Sequence, residues 1–388
     1  MIHPRTNRDI VVGISGNVID SVLSRDIRDG ISVYTRALER SLTAEQVSVR
    51  RVGAPVAAGL KWHHPADAQI EFATPLASSI AWTGLTGRCA PFAAQVEDSI
   101  DVYHCTDYLV PKLRRTPVVA TLYDAIPLLR PEWANARLRT IKNRLMRASA
   151  HAADLVIAIS KASAREIVEG YGIARDRIRV IPLGVDENWF DQHTDKASIF
   201  HAENRIVGKY FLSVGTLQPR KDVSTLLLAY ESLPEEVRAT HQLVIVGRYG
   251  WGVPELRKRL RAASPSGRIV WLEHVDDAQL GALYSRATAL VFPSLGEGFG
   301  LPLLEALAAG VPVICSELPV FREVAAECAA YVLPGDVNGF AHAMIIAARE
   351  GFGITSDDRR HRARMFSWRT NALATLEVYR EAIAMRPR

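Results

Sequence analysis

The 388 residues are long for one hydrophobic core and suit two domains, and a hydrophobic share of 48% excludes disorder. No run approaches the roughly 18 apolar residues of a membrane span. The Ile10-Val-Val-Gly-Ile14 run is too short for a secretory leader, and four scattered cysteines without a Cys-x-x-Cys pair indicate neither a zinc site nor a disulfide framework. A net charge of +5, with bases interspersed among acids, argues against a nucleic-acid groove. A cytosolic protein is expected.

Strand-like apolar runs alternate with helical patterns throughout, the signal of parallel sheets with helices on both faces. In the first half strands are expected at 10–14, 102–105, 118–122, 155–159 and 178–182. Asp29-Gly-Ile-Ser-Val-Tyr-Thr35 opens the first long helix, with Gly30 giving bare backbone. His104 lies in the second strand, and Tyr123 and Asp124 follow the third. Arg137, Arg139, Lys142, Arg144 and Arg147 make an acid-free segment in which Leu138, Ile141 and Leu145 recur at helical spacing. That pattern fits a surface helix packed on the core and equally a basic amphipathic helix on an anionic membrane. In the second half strands are expected at 210–214, 243–246, 269–272, 289–292 and 311–315. The domains are read as 1–190 and 209–365, joined by a polar linker over 191–208. A closing helix within 366–388 presents Trp368, Ala372, Leu376, Tyr379 and Ile383 on one face.

Chemistry concentrates in the second half. Pro293-Ser-Leu-Gly-Glu-Gly-Phe-Gly-Leu-Pro-Leu-Leu-Glu305 is a Gly-rich turn between a buried strand and a helix. Gly298, Phe299, Gly300 and Leu301 carry amides that approach a ligand closely, and Pro302 suits the first helical turn, whose positive dipole end fits a diphosphate. Glu297 in the loop and Glu305 in the helix reach two parts of one ligand, as donor-sugar hydroxyls and a ribose diol require. Arg220 and Lys221, after a strand and Pro219, supply cations for the diphosphate. The blander alternatives are a capped strand-to-helix turn and a solvated basic pair. There is no Asp-x-Asp and no His-Glu-x-x-His, so no metal is expected.

Glu297 and Glu305 reproduce the Glu-x7-Glu signature of the family-four (group 1) retaining glycosyltransferases of the GT-B fold. Ser213-Val-Gly-Thr-Leu-Gln-Pro-Arg-Lys-Asp222 resembles the same family's phosphate-binding segment, in its bacterial mannosyltransferase-like branch. Gly310-Val-Pro-Val-Ile-Cys-Ser316 and Phe366-Ser-Trp368 resemble later family segments. The resemblance implies an α/β fold of two Rossmann-like domains facing each other across a deep cleft, with the closing helix crossing back to the first. It implies retention of anomeric configuration, nucleobase contacts near Arg248 and Val275, and an acceptor entering through the first domain. It also implies that Gly30 faces the donor phosphates. Many relatives have His-Asp where this chain has Tyr123-Asp124, which leaves Asp124 to orient sugar or acceptor. Tyr123 and His104 are the other acceptor-side candidates. The activity implied is hexosyl transfer, mannose from GDP-mannose foremost, to a saccharide or lipid-linked saccharide in cell-envelope or exopolysaccharide biosynthesis. The alternatives are a nucleotide-sugar epimerase or hydrolase of the same fold, and an idle nucleotide-sugar-binding subunit.

Overall fold

The computed structural model describes residues 10–15, 30–54, 56–58, 61–63, 68–72, 83, 93–133, 139–191, 200–201, 203–263 and 266–386. It divides into two compact units, Met1–Gly184 with Ser367–Arg388, and Val185–Phe366.

In the first unit the strands are β1 (Val11–Ser15), β2 (Ser48–Gly53), β3 (Val56–Ala58), β4 (Lys61–His63), β5 (Ile70–Glu71), β6 (Val102–Cys105), β7 (Val118–Leu122), β8 (Leu155–Ala158) and β9 (Ile178–Val180). Seven of them form a sheet in the order β5-β2-β1-β6-β7-β8-β9, parallel at every pairing, while β3 and β4 make a separate antiparallel pair. β6, β7 and β8 are buried along their whole length, which is why they read in the sequence as continuous apolar runs.

The closing helix Trp368–Met385 belongs to this unit and packs on the helix Gly30–Ala44 and on β6, β7 and β8. Its buried face carries Trp368, Ala372, Leu376 and Tyr379 as its spacing predicts, with Ala382 taking the last buried place and Ile383 only half covered. A buried hydrogen-bond chain fixes it: Tyr379 Oη to His104 Nδ1 at 2.6 Å, His104 Nε2 to Thr121 Oγ1 at 2.8 Å, and Thr121 Oγ1 to Tyr34 Oη at 2.9 Å. Each polar group in the chain is thereby satisfied without water.

The second unit holds β10 (Lys209–Val214), β11 (His241–Val246), β12 (Ile269–Leu272), β13 (Ala289–Phe292), β14 (Val313–Ser316) and β15 (Ala330–Val332). The order is β12-β11-β10-β13-β14-β15, all parallel. The chain runs outward from β10 through β11 to β12, then returns to the other side of β10 to place β13. That reversal makes the ends of β10 and β13 the topological switch point, where open α/β sheets bind ligands.

The unit boundary differs from the sequence expectation. The first crossing falls at Gly184–Val185, not after residue 190, because Trp189 is buried edge-on against Tyr284 of the second unit. The expected linker is not one in its described part. His201 is buried and bonded to Tyr210 Oη at 2.9 Å, and Ile206 is buried as well. Residues 192–199 and 202 lie outside the described residues.

Candidate active site

At the switch point two loops of the second unit are tied together. Leu295 N donates to Arg220 O at 2.7 Å, and Arg220 Nη1 donates to Gly296 O at 3.1 Å. The β10 loop ends in a short 3-10 turn, Pro219–Lys221, and Asp222 then takes a left-handed conformation (φ 44°) while its carboxylate caps the following helix at Thr225 N. The β13 loop runs through Glu297 to Gly300, at φ +97°, which starts the helix Leu301–Ala308 with Pro302 in its first turn. A side chain at residue 300 would be strained by that φ and would meet Phe321 Cε1 at 2.8 Å, so the turn requires glycine. Gly300, at the N-cap, gives the helix no side-chain cap.

Glu297 joins the two cations. Its carboxylate is 8% exposed, with Oε2 accepting from Arg220 Nη1 at 2.6 Å and Oε1 accepting from Lys221 Nζ and from Ser294 Oγ, the last at 2.9 Å. Burial alone would raise its proton affinity, but the Arg220 and Lys221 charges pull the carboxyl down to about 2. The carboxylate is therefore ionised at every physiological pH. Lys221 is held from three directions: its ammonium bonds Glu297 and lies 4.7 Å from the centre of the Phe292 ring, and its stem passes over Gly215. A Cβ at Gly215 would stand 3.2 Å from Lys221 Cε.

Glu305 sits one turn into the helix, 5% exposed, with Oε2 accepting from Tyr284 Oη at 3.2 Å. Arg248 is exposed on the loop after β11, which is zipped to the β10 loop by Leu217 N to Arg248 O at 2.9 Å. Val275 is buried just beyond β12, two strands from the switch point. Of the donor-side candidates, the structure thus brings Arg220, Lys221 and Glu297 into direct contact. Gly298, Phe299, Gly300, Leu301 and Glu305 share one turn and helix with Glu297, and Arg248 and Val275 stand on neighbouring strand ends. Ser294 and Tyr284 were not singled out from sequence. A serine after a strand and a tyrosine in a helix carry no spacing signal, and only the fold aims them at the two glutamates.

In the first unit Gly30 is the exposed first residue of its helix. Asp124, 9% exposed, follows β7 and accepts from Ile126 N at 3.1 Å. Tyr123 is buried, donates to Thr106 O at 2.9 Å and packs edge-on against Tyr34, and burial pushes its phenol well above the ordinary range. His104 corrects the expectation of an acceptor-side imidazole. It is fully buried, both ring nitrogens are spent on Tyr379 and Thr121, and burial depresses it to about 3. It is a neutral core residue tying the closing helix to the sheet.

This geometry has an acid-side consequence. Glu297 binds its proton far less readily folded than unfolded, so its ion pairs contribute stability that is full above about pH 4.5 and lost as pH falls through about 2. Glu297→Gln, which cannot titrate, is expected to show a shallower loss of Tm between pH 4.5 and 2 than the wild type. Superimposable acid limbs in the two proteins would contradict the ion-pair assignment.

Two family models tile the sequence: Glycosyltransferase Family 4 matches residues 28–189 and Glycosyl transferases group 1 matches residues 195–363. The chain belongs to this glycosyltransferase family. Among curated proteins it is 29% identical over 283 residues to O-antigen chain mannosyltransferase B of Escherichia coli, covering 72% of this chain and 74% of that one. It is 34% identical over 221 residues to the serotype-specific mannosyltransferase WbdA of Escherichia coli, covering 54% of this chain but only 27% of that longer protein. Among solved structures, HepE of Anabaena in complex with UDP and glucose aligns with a TM-score of 0.66 at 16% identity over 95% of this chain and 98% of that one. At that identity the likeness speaks for the fold alone, the two Rossmann-like α/β units of the GT-B class expected from the sequence.

Proposed function

We propose that this glycosyltransferase moves a hexose, mannose from GDP-mannose foremost, onto a saccharide or lipid-linked saccharide acceptor in cell-envelope or exopolysaccharide assembly, with retention of configuration. The observation that carries the reading is the buried cluster of Glu297 with Arg220 and Lys221 at the switch point. The mannosyltransferase names of the relatives support the choice of sugar. In this scheme the bond from the anomeric carbon to the diphosphate oxygen breaks while the acceptor oxygen bonds the same face of that carbon. The acceptor hydroxyl proton passes to the departing phosphate oxygen. Arg220, Lys221 and the helix Leu301–Ala308 stabilise the charge growing on the diphosphate, Glu297 receives donor-sugar hydroxyls, Glu305 holds the ribose, and Asp124 orients the sugar or acceptor. No divalent metal is assigned a role, since the cations already present neutralise the leaving group. The test is release of nucleoside diphosphate from a panel of GDP- and UDP-sugars, with envelope lipid as acceptor and EDTA in excess. GDP-mannose should be turned over fastest. Equal turnover of all donors would refute the sugar assignment, and activity restored only by magnesium would refute the metal-free one.

A cytoplasmic enzyme held peripherally on an anionic membrane fits a lipid-linked acceptor. Among the described residues no helix is long and apolar enough to cross a membrane. The basic segment forms the helix Arg139–Ala150, while Arg137 and the side chain of Arg139 lie outside the described residues. Ile141 is 56% exposed and not packed on the core as a surface helix would have it, and it stands beside the exposed Lys142, Arg144 and Arg147. Each basic residue near an anionic surface contributes about 1 kcal/mol, enough together for reversible attachment. Liposome flotation at low ionic strength is expected to carry wild-type protein upward and to leave behind a variant with Ile141→Ser, Lys142→Gln, Arg144→Gln and Arg147→Gln. Equal flotation of both would remove the membrane role.

A further inference from the structure

Glu166 is a partly buried titratable residue to which the proposed reaction gives no role. It lies on the helix Lys161–Tyr171, whose start is fixed by a reciprocal cap between Ser160 and Ser163. This helix clamps the turn that carries Asp124. Glu166 Oε2 accepts from Ala125 N at 3.3 Å, while Asp124 Oδ1 accepts from Ile126 N at 3.1 Å within the same turn. Gly170, one helical turn further on, lies so close that a Cβ there would stand 2.6 Å from Ala125 Cβ. On the other side the helix Arg139–Ala150 contributes a neutral contact, Asn143 Nδ2 to Pro127 O at 2.8 Å.

The charges around Glu166 come from three places. Asp124 on the clamped turn and Glu169 on its own helix are like charges, and Arg130, just past the short helix Ile126–Leu129, is the opposing one. Burial foremost, opposed by the Ala125 N–H and Arg130 and reinforced by Asp124 and Glu169, pushes the Glu166 carboxyl up to about 7. Tyr171, buried at the end of the helix, remains a neutral phenol because burial raises its proton affinity.

We propose that Glu166 is a positioning residue for Asp124: it holds the 124–126 turn through the Ala125 N–H, from a helix packed against that turn at Gly170. The claim that turnover depends on this rests on the reading in which Asp124 orients sugar or acceptor. The hold on the turn does not.

The sign follows from the folded protein binding the Glu166 proton more tightly than the unfolded chain does. The contribution is full below about pH 4.5 and lost as pH rises through about 7, because burial disfavours the ionised Glu166 carboxylate. Glu166→Gln keeps an oxygen for Ala125 N–H and cannot ionise, whereas Glu166→Ala loses both functions.

The test joins a carboxyl titration to a pH–rate profile on the full chain. Carbon-13 NMR of labelled glutamates should show one carboxyl titrating near 7, absent from Glu166→Gln, that moves downward in Asp124→Asn. Turnover should fall above pH 7 in the wild type, stay level to pH 8.5 in Glu166→Gln, and drop roughly tenfold at every pH in Glu166→Ala. An unmoved Glu166 titration in Asp124→Asn overturns its placement on that turn. Coincident pH profiles for wild type and Glu166→Gln, with Asp124→Asn impaired, overturn the role of Glu166 alone. Full turnover in Asp124→Asn overturns the reading of Asp124, and the positioning claim with it.

Discussion

Lys221→Ala is expected to lower kcat by roughly 10² or more, the size of loss that follows removal of one preorganised electrostatic donor. The Lys221 side chain is only 11% exposed and is fixed by Glu297, by the face of Phe292 and by the bare backbone at Gly215, so it stands preorganised for the charge that grows on the diphosphate. Glu297→Ala is expected to depress kcat as well, for a different reason and with a different binding signature. Removing that carboxylate leaves Arg220 and Lys221 without their neutralising partner, so free nucleoside diphosphate should bind at least as tightly as to the wild type while sugar transfer fails. Lys221→Ala should weaken the same ligand. Single-turnover rates set beside calorimetric titration of GDP check the pair. Wild-type turnover in both variants would place the reaction elsewhere.

Glu305→Ala carries the second large effect, on nucleotide affinity. A hydrogen bond to a charged group is worth about 1.5 to 3 kcal/mol, so the variant should bind GDP roughly 10- to 150-fold more weakly. Tyr284→Phe separates orientation from contact. It removes the hydroxyl that holds Glu305 Oε2 and keeps the carboxylate, so its loss should be the smaller of the two. If Glu305→Ala binds GDP as the wild type does, the ribose assignment is wrong.

The central strands were legible because burial on both faces writes them as unbroken apolar runs, and 102–105, 118–122 and 289–292 agree with the structure residue for residue. The strands that were not read are short or outlying. β2 spends two of its six places on Arg50 and Arg51, while β5 and β15 have two and three residues, too few for any periodicity. On the donor side the residue types and the turn were readable, as were the glycine and proline that shape the helix start. The ion pairs were not, because Arg220 and Lys221 stand 77 and 76 positions from Glu297 and only the strand reversal at β13 brings them together. His104 was a candidate whose ordinary reading, a structural histidine, is the one its burial supports. A histidine in a strand carries no mark of burial, and its partner Tyr379 arrives from 275 positions away on the closing helix.

Acceptor-dependent release of nucleoside diphosphate from GDP-mannose, measured in wild type and in the Lys221→Ala, Glu297→Ala double variant with folding verified by circular dichroism, tests the central claim most directly. Release in the wild type, abolished in the folded double variant, is the predicted result. Equal release by the two proteins would contradict the assignment of glycosyl transfer to this site.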